Sequence, residues 1–147
     1  MQRQRTKIYS KMTSQLKKSK ALHITLWVMQ TLLAIMLIWA GFTKLFEPIE
    51  KLSAMWPWTG QVPIALVKFT GIVDVLGALG LILPSLLRIK PILTPVAAIG
   101  LCVLMVCAII FHVVRGEASL IGLNIVFIGL AAFVAWARLT RASIVPK

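Results

Sequence analysis

The chain has 147 residues and a net charge of +12, and it is 59% hydrophobic but only 14% charged. A soluble domain is about half apolar and about a quarter charged, so this composition, with a mean hydropathy of +0.92, excludes an ordinary water-soluble fold and points to lipid as the solvent. Nucleic-acid binding is excluded by where the charge lies: seven of the sixteen basic residues (Arg3, Arg5, Lys7, Lys11, Lys17, Lys18 and Lys20) fall in the first twenty positions, directly before an apolar run.

Residues 1–21 read as a basic cytoplasmic arm, since Lys and Arg are kept on the cytoplasmic side of a membrane protein. The same cations suit anionic lipid headgroups. Ile8, Met12 and Leu16 share one face of a short amphipathic helix there. Residues 22–147 form the membrane domain. Its first helix covers about 22–46. That run is too long for a signal-peptide core and no small-x-small cleavage site follows it, so a retained span is expected. The loop 47–61 carries Trp56-Pro57-Trp58, a pattern expected in the headgroup zone, and Glu47 and Glu50 are expected to be solvated.

The second helix covers about 62–87, with Pro84 bending or ending it. A short loop carries Arg88 and Lys90. The third helix covers about 91–114, with Pro91 in its first turn. In the turn Arg115-Gly116-Glu117, Arg115 either pairs with Glu117 or caps the third helix. The fourth helix covers about 120–137, and a basic tail follows with Arg138, Arg141 and Lys147. The fold class is therefore all-α, a polytopic bundle of four transmembrane helices. Twelve basic residues lie on the N-terminal side of the spans, against four (Lys44, Lys51, Lys68, Arg115) on the other. That bias sets both termini inside, N-in/C-in.

Motifs for independent catalysis are missing from the sequence. There is no nucleotide loop, no H-E-x-x-H, no Ser nucleophile elbow and no haem attachment signature. Cys102 and Cys107 are five residues apart, hence about 140° apart on a helix. They read as small buried hydrophobes rather than a redox pair or metal site. His23 reads as an interfacial residue. No metal and no resident cofactor are expected.

The polar residues within the spans gather in the outer half. Asp74 is the one acid inside a span, and a carboxylate at that depth is costly unless paired, protonated or wet. Lys44 lies near the outer end of the first helix, His112 near that of the third, and Asn124 one turn into the fourth. Helical side chains lean toward their own N-terminus. Lys44 and His112 therefore lean inward, Asp74 and Asn124 lean outward, and Lys44 and Asp74 converge. Each group falls on an inward stripe: Gln30, Leu33, Leu37, Ala40 and Lys44; Thr70, Asp74, Gly77, Ala78 and Leu81; Leu101, Met105, Ala108 and His112; Asn124, Ile128, Ala131 and Ala135. Small residues on these stripes allow close helix approach.

Three readings of the cluster Lys44, Asp74, His112 and Asn124 stand side by side. One is a structural ion pair between Lys44 and Asp74. Another is a ligand-binding polar pocket, for a small molecule, a quinone headgroup or a partner helix. The third is a proton or ion path, for which Gln30 is the one, isolated, extension toward the cytoplasm. Lys68, about 240° from Asp74 around the helix, is expected to snorkel to the interface.

The runs Ala40-Gly41-Phe42-Thr43-Lys44-Leu45 and Phe69-Thr70-Gly71-Ile72-Val73-Asp74-Val75-Leu76-Gly77-Ala78-Leu79-Gly80-Leu81-Ile82-Leu83-Pro84 resemble the first two helices of the DoxX-like family. Leu93-Thr94-Pro95, then His112 to Glu117, and Asn124 continue the match in order, from about Trp27 to Arg138. The resemblance implies a four-helix bundle, mostly of the bacterial cytoplasmic (inner) membrane. It also implies a membrane subunit, scaffold or assembly partner, working with a membrane protein or a second copy of itself. The competing implication is a quinone-binding subunit of an oxidoreductase. The family usually carries Glu at the position of Asp74. Asp is one methylene shorter, which favours a water-bridged contact to Lys44 over a direct one.

Overall fold

The computed structural model describes residues 2–147, and the side chains of residues 2–3, 6–11 and 13–19 are outside the described set. The amphipathic face of Ile8, Met12 and Leu16 therefore falls outside the described residues except for Met12, which is exposed. In chain order the elements are α1 (Gln2–Phe46), α2 (Ile49–Met55), a 3-10 turn (Pro57–Gln61), α3 (Ile64–Leu87), α4 (Leu93–Val114), a second 3-10 turn (Ala118–Leu120) and α5 (Gly122–Thr140). Four helices are long and apolar enough to cross a membrane: α1 from Lys20 onward, α3, α4 and α5.

Several boundaries differ from the sequence expectation, each for a local reason. The arm continues into α1 as one helix, because no Gly or Pro interrupts residues 2–40. The expected loop after α1 folds into α2 and the 3-10 turn, with Pro57 at the start of that turn. Helix α3 ends at Leu87, as expected, with Pro84 inside it rather than at its end. Proline removes the donor to the carbonyl four residues back, here that of Gly80. Arg88 caps that end, in the left-handed region at φ 57°. Helix α4 starts at Leu93, with Pro95 in its first turn. Helix α5 runs through Arg138, which the sequence assigned to the tail.

The four spanning helices form a ring in which α1 packs on α3, α3 on α4, α4 on α5, and α5 back on α1. Short connections make successive spans antiparallel. One end of the ring carries α2 and the first 3-10 turn. At the other end the span of α1 begins and the chain's tail returns. The core is thin: Leu26, Leu33, Leu37, Ala78, Leu81, Ala98, Leu101, Phe127, Ala131 and Val134 meet at its centre. Large apolar side chains such as Ile35, Phe69, Leu76, Val103 and Ile110 face outward, as they must where lipid is the solvent. These are integral membrane helices in contact with the bilayer.

Small residues set the closest approach. A Cβ built on Gly41 of α1 would lie 2.8 Å from the carbonyl oxygen of Gly71 on α3, and a Cβ on Gly71 would lie 3.0 Å from Cβ of Lys44. Close backbone approach of this kind is what holds helices together where no water drives them together. At the tail end, Ser85 of α3 donates to Thr94 of α4 at 2.8 Å, both buried. That bond ties the two helices across their connecting turn.

Candidate functional site

Lys44 and Asp74 face each other across the α1–α3 contact. Nζ of Lys44 lies 2.7 Å from Oδ2 of Asp74, and the side chains are 14% and 4% exposed. The bond is direct, where the shorter Asp favoured a water bridge. The glycines explain the difference. Lys44 follows Gly41 by one turn, and Asp74 follows Gly71 by one turn. In an antiparallel pair each charged residue therefore stands opposite the other helix's glycine. The missing side chains bring the helices together by more than the missing methylene takes away. The lean of each side chain toward its own N-terminus closes the remaining gap.

The segment after α1 roofs this pair. The Lys44 ammonium lies 5.8 Å from the Trp56 ring centroid and 5.9 Å from that of Trp58, within the range where a ring face attracts a cation. Thr59 is buried and its hydroxyl donates to the Trp56 carbonyl at 2.8 Å, which locks the 3-10 turn. Trp56 packs edge-on against Trp39 of α1, and Trp58 packs edge-on against Phe111 of α4. Both indoles are half-buried and close over the pair. Lys68 also turns inward, and its ammonium donates to the Leu45 carbonyl in the last turn of α1, a helix end that favours cations. That carbonyl lies at the end of the bundle toward which Lys68 was expected to snorkel.

His112 belongs to a second cluster at the same end. Its Nδ1 lies 2.8 Å from Oε2 of Glu117. A carboxylate can only accept, so Nδ1 carries the proton. Arg115 reaches the other oxygen of Glu117 at 3.1 Å and also binds the Gln61 side chain. Gly116, at φ 76°, makes the tight turn that lets Glu117 fold back onto both side chains, His112 and Arg115. These hydrogen bonds, that from Arg115 first and that from His112 second, hold the Glu117 carboxyl below its ordinary range. His112 is thus joined to Glu117 rather than to Lys44 or Asp74. Its ring lies 5.4 Å from that of Phe111, which packs on Trp58 of the roof. Asn124 is half-buried on α5, apart from the hydrogen bonds that join Lys44 to Asp74 and His112 to Glu117. Glu47 pairs with Lys51 on the surface at 2.7 Å.

A third polar group was not legible as a group. Gln30, fully buried, donates to the Leu81 carbonyl at 2.7 Å and accepts from Nε of Arg138 at 2.8 Å. It joins α1 to α3 and α5 and is not isolated. His23 also touches Arg138 rather than standing alone at the interface. The signal available in the sequence was the register of α5: Arg138 continues the inward stripe of Ala131 and Ala135. Cys102 and Cys107 are free thiols. Among the described residues no group of three or more His, Cys, Asp or Glu is placed to hold a metal ion.

A model of the DoxX-like family matches residues 28–134, which include Lys44, Asp74, His112 and Asn124. No curated protein and no solved structure matches the chain.

Proposed function

Because the chain belongs to the DoxX-like family, we propose that it acts as a membrane subunit, scaffold or assembly partner with no independent catalysis. The observation that carries this reading is the closed Lys44–Asp74 pair. Its two charges neutralise each other at 2.7 Å under the Trp56–Trp58 roof. A buried pair of this kind adds little net stability but strongly penalises a misplaced helix. It therefore suits register and shape more than chemistry. The outward faces of all four spans, rich in large apolar side chains, offer area for a partner helix or a second copy of the chain.

In this reading both termini are cytoplasmic, the basic arm lies against anionic lipid, and the host is the bacterial inner membrane. The charge bias of the sequence supports that orientation. The test is purification from native membranes in mild detergent, with proteins and small molecules identified by mass. A membrane-protein partner in fixed ratio, or a homo-oligomer, without a stoichiometric quinone is the expected result. A quinone held one to one and lost in Lys44→Met would overturn the proposal in favour of a quinone-binding oxidoreductase subunit.

A further inference from the structure

The tail end of the bundle holds a buried guanidinium, that of Arg138, with no acidic side chain paired to it among the described residues. Arg138 is 4% exposed. Its Nε donates to Gln30 at 2.8 Å, and its Nη1 donates to the Ala142 carbonyl at 3.3 Å and to Nδ1 of His23 at 3.4 Å. The Trp27 ring lies 5.5 Å from the guanidinium carbon. None of these partners carries a negative charge. Nη2 is buried with no partner among the described residues.

The chain has four acidic side chains in all. Asp74 is matched to Lys44, Glu47 to Lys51, and Glu117 to Arg115 and His112. Glu50 lies on α2, at the other end of the bundle. Gln30, against which Arg138 packs, is fourteen residues from Lys44 along α1, about 21 Å. A buried charge without a counter-charge is among the costliest arrangements a fold can hold, so an anion from outside the chain is called for.

The surroundings say which anion. Two adjoining clefts of about 250 and 320 Å³ open here and share Ser85, Ser143 and Ile144. Arg138 and Lys90 line one, and His23 and Arg88 line the other. Arg88 and Lys90 sit in left-handed backbone at φ 57° and 46°, uncommon for residues with a Cβ. The tail folds back over the same turn, with the Lys147 amide bonded to the Arg88 carbonyl at 3.2 Å. Ser143 is exposed at the rim. The walls of the first cleft are apolar, formed by Pro91, Pro95 and Ile144. Two cations, Arg138 and Lys90, on an apolar-walled cleft, with Arg88 on the cleft that adjoins it, at the end of membrane-spanning helices, match an amphiphile with a phosphate head.

We propose that this cleft binds the phosphate group of an anionic glycerophospholipid. Nη2 of Arg138 donates to a phosphate oxygen, Arg88 and Lys90 hold the remaining charge, and the apolar walls take the glycerol and upper acyl chain. The site is separate from the lipid contact of the basic arm and is built from α1, the α3–α4 turn, α5 and the tail.

The test uses the full chain in a neutral detergent, offered phosphatidylglycerol, phosphatidylcholine or inorganic phosphate. Bound lipid is counted by native mass spectrometry, and the thermal midpoint is followed in parallel. One tightly held phosphatidylglycerol with a raised midpoint is expected. Arg138→Gln should abolish that retention. Arg88→Gln and Lys90→Gln, at exposed positions that leave the fold intact, should each weaken it about fivefold, the worth of one interfacial cation. They keep the proposal open to failure if Arg138→Gln does not fold. The arm variant K17Q/K18Q/K20Q should retain the lipid. Equal retention of phosphatidylcholine, or unchanged binding in both rim variants, would overturn the proposal. Inorganic phosphate producing the whole stabilisation alone would assign the site to a soluble phosphate and overturn the lipid assignment.

Discussion

Gly41 and Gly71 stand in contact where α1 crosses α3, and each lies one turn before a member of the Lys44–Asp74 pair. The contact fixes how near the two charges come. Gly41→Ala would place a methyl 2.8 Å from the Gly71 carbonyl oxygen and 2.7 Å from a Val75 methyl. Backbone cannot give way as a side chain can. A loss of about 1–3 kcal/mol is expected, the usual cost of overpacking, read as a fall in the thermal midpoint in detergent. Gly129→Ala and Gly100→Ala meet nothing within 4 Å. They should be neutral, or stabilising by up to about 1 kcal/mol through helix propensity. Equal losses at all three positions would refute the contact as the cause.

The ion pair gives a cycle of its own. Asp74→Asn leaves the Lys44 ammonium 14% exposed and unmatched, which should cost about 3 kcal/mol, the lower end of the range for a broken buried pair because Lys44 keeps some exposure. The double change Asp74→Asn with Lys44→Met should recover most of that loss. Simple additivity of the two single losses in a denaturation series would show that the charges do not act together.

The aromatic roof makes a spectroscopic prediction. Trp58→Leu removes both the contact to Phe111 and one ring over Lys44. Each such contact is worth about 0.5–1 kcal/mol, so a total loss of about 1–2 kcal/mol is expected. The emission of Trp56, isolated in a variant lacking the other tryptophans, should shift on Lys44→Met but not on Lys51→Met. An indifferent Trp56 would place the cation elsewhere.

Acid should loosen the second cluster. The Glu117 carboxyl lies below its ordinary value of 4.5 in the folded chain because Arg115 and His112 donate to it. A group with a lowered folded pKa stabilises fully above the unfolded value, and that contribution is lost as pH falls through the folded one. The thermal midpoint should therefore be flat above about pH 5 and decline below it. Glu117→Gln should lie lower at neutral pH and lose part of the acid decline. A variant curve parallel to that of the parent would assign the acid response to other carboxylates.

The part of the site that sequence conveyed is the part set by local geometry. Lys44 and Asp74 follow from the lean of helical side chains and from stripes that include Gly77 and Ala78. Hydrophobic length alone marks the four spans. The directness of the bond was not legible, because it depends on how closely two backbones pack, and only Gly41 and Gly71 taken together carry that. His112 was grouped with the pair by depth. Glu117, five residues on and turned back by Gly116, is the nearer acceptor and takes it. The Gln30–Arg138 bond closes the ring between the first and last spans, a separation of 108 residues. No local pattern reports such a contact.

The roof has a mechanical consequence. Four rods joined only along their edges form a frame that can shear into a rhombus with little change in any one joint. Helices α1 and α4 are one diagonal pair of this ring. The run from Trp39 to Trp56, through the 3-10 turn to Trp58 and on to Phe111, spans that diagonal. A connector between two neighbouring helices thus serves as a cross-brace between two that are not neighbours.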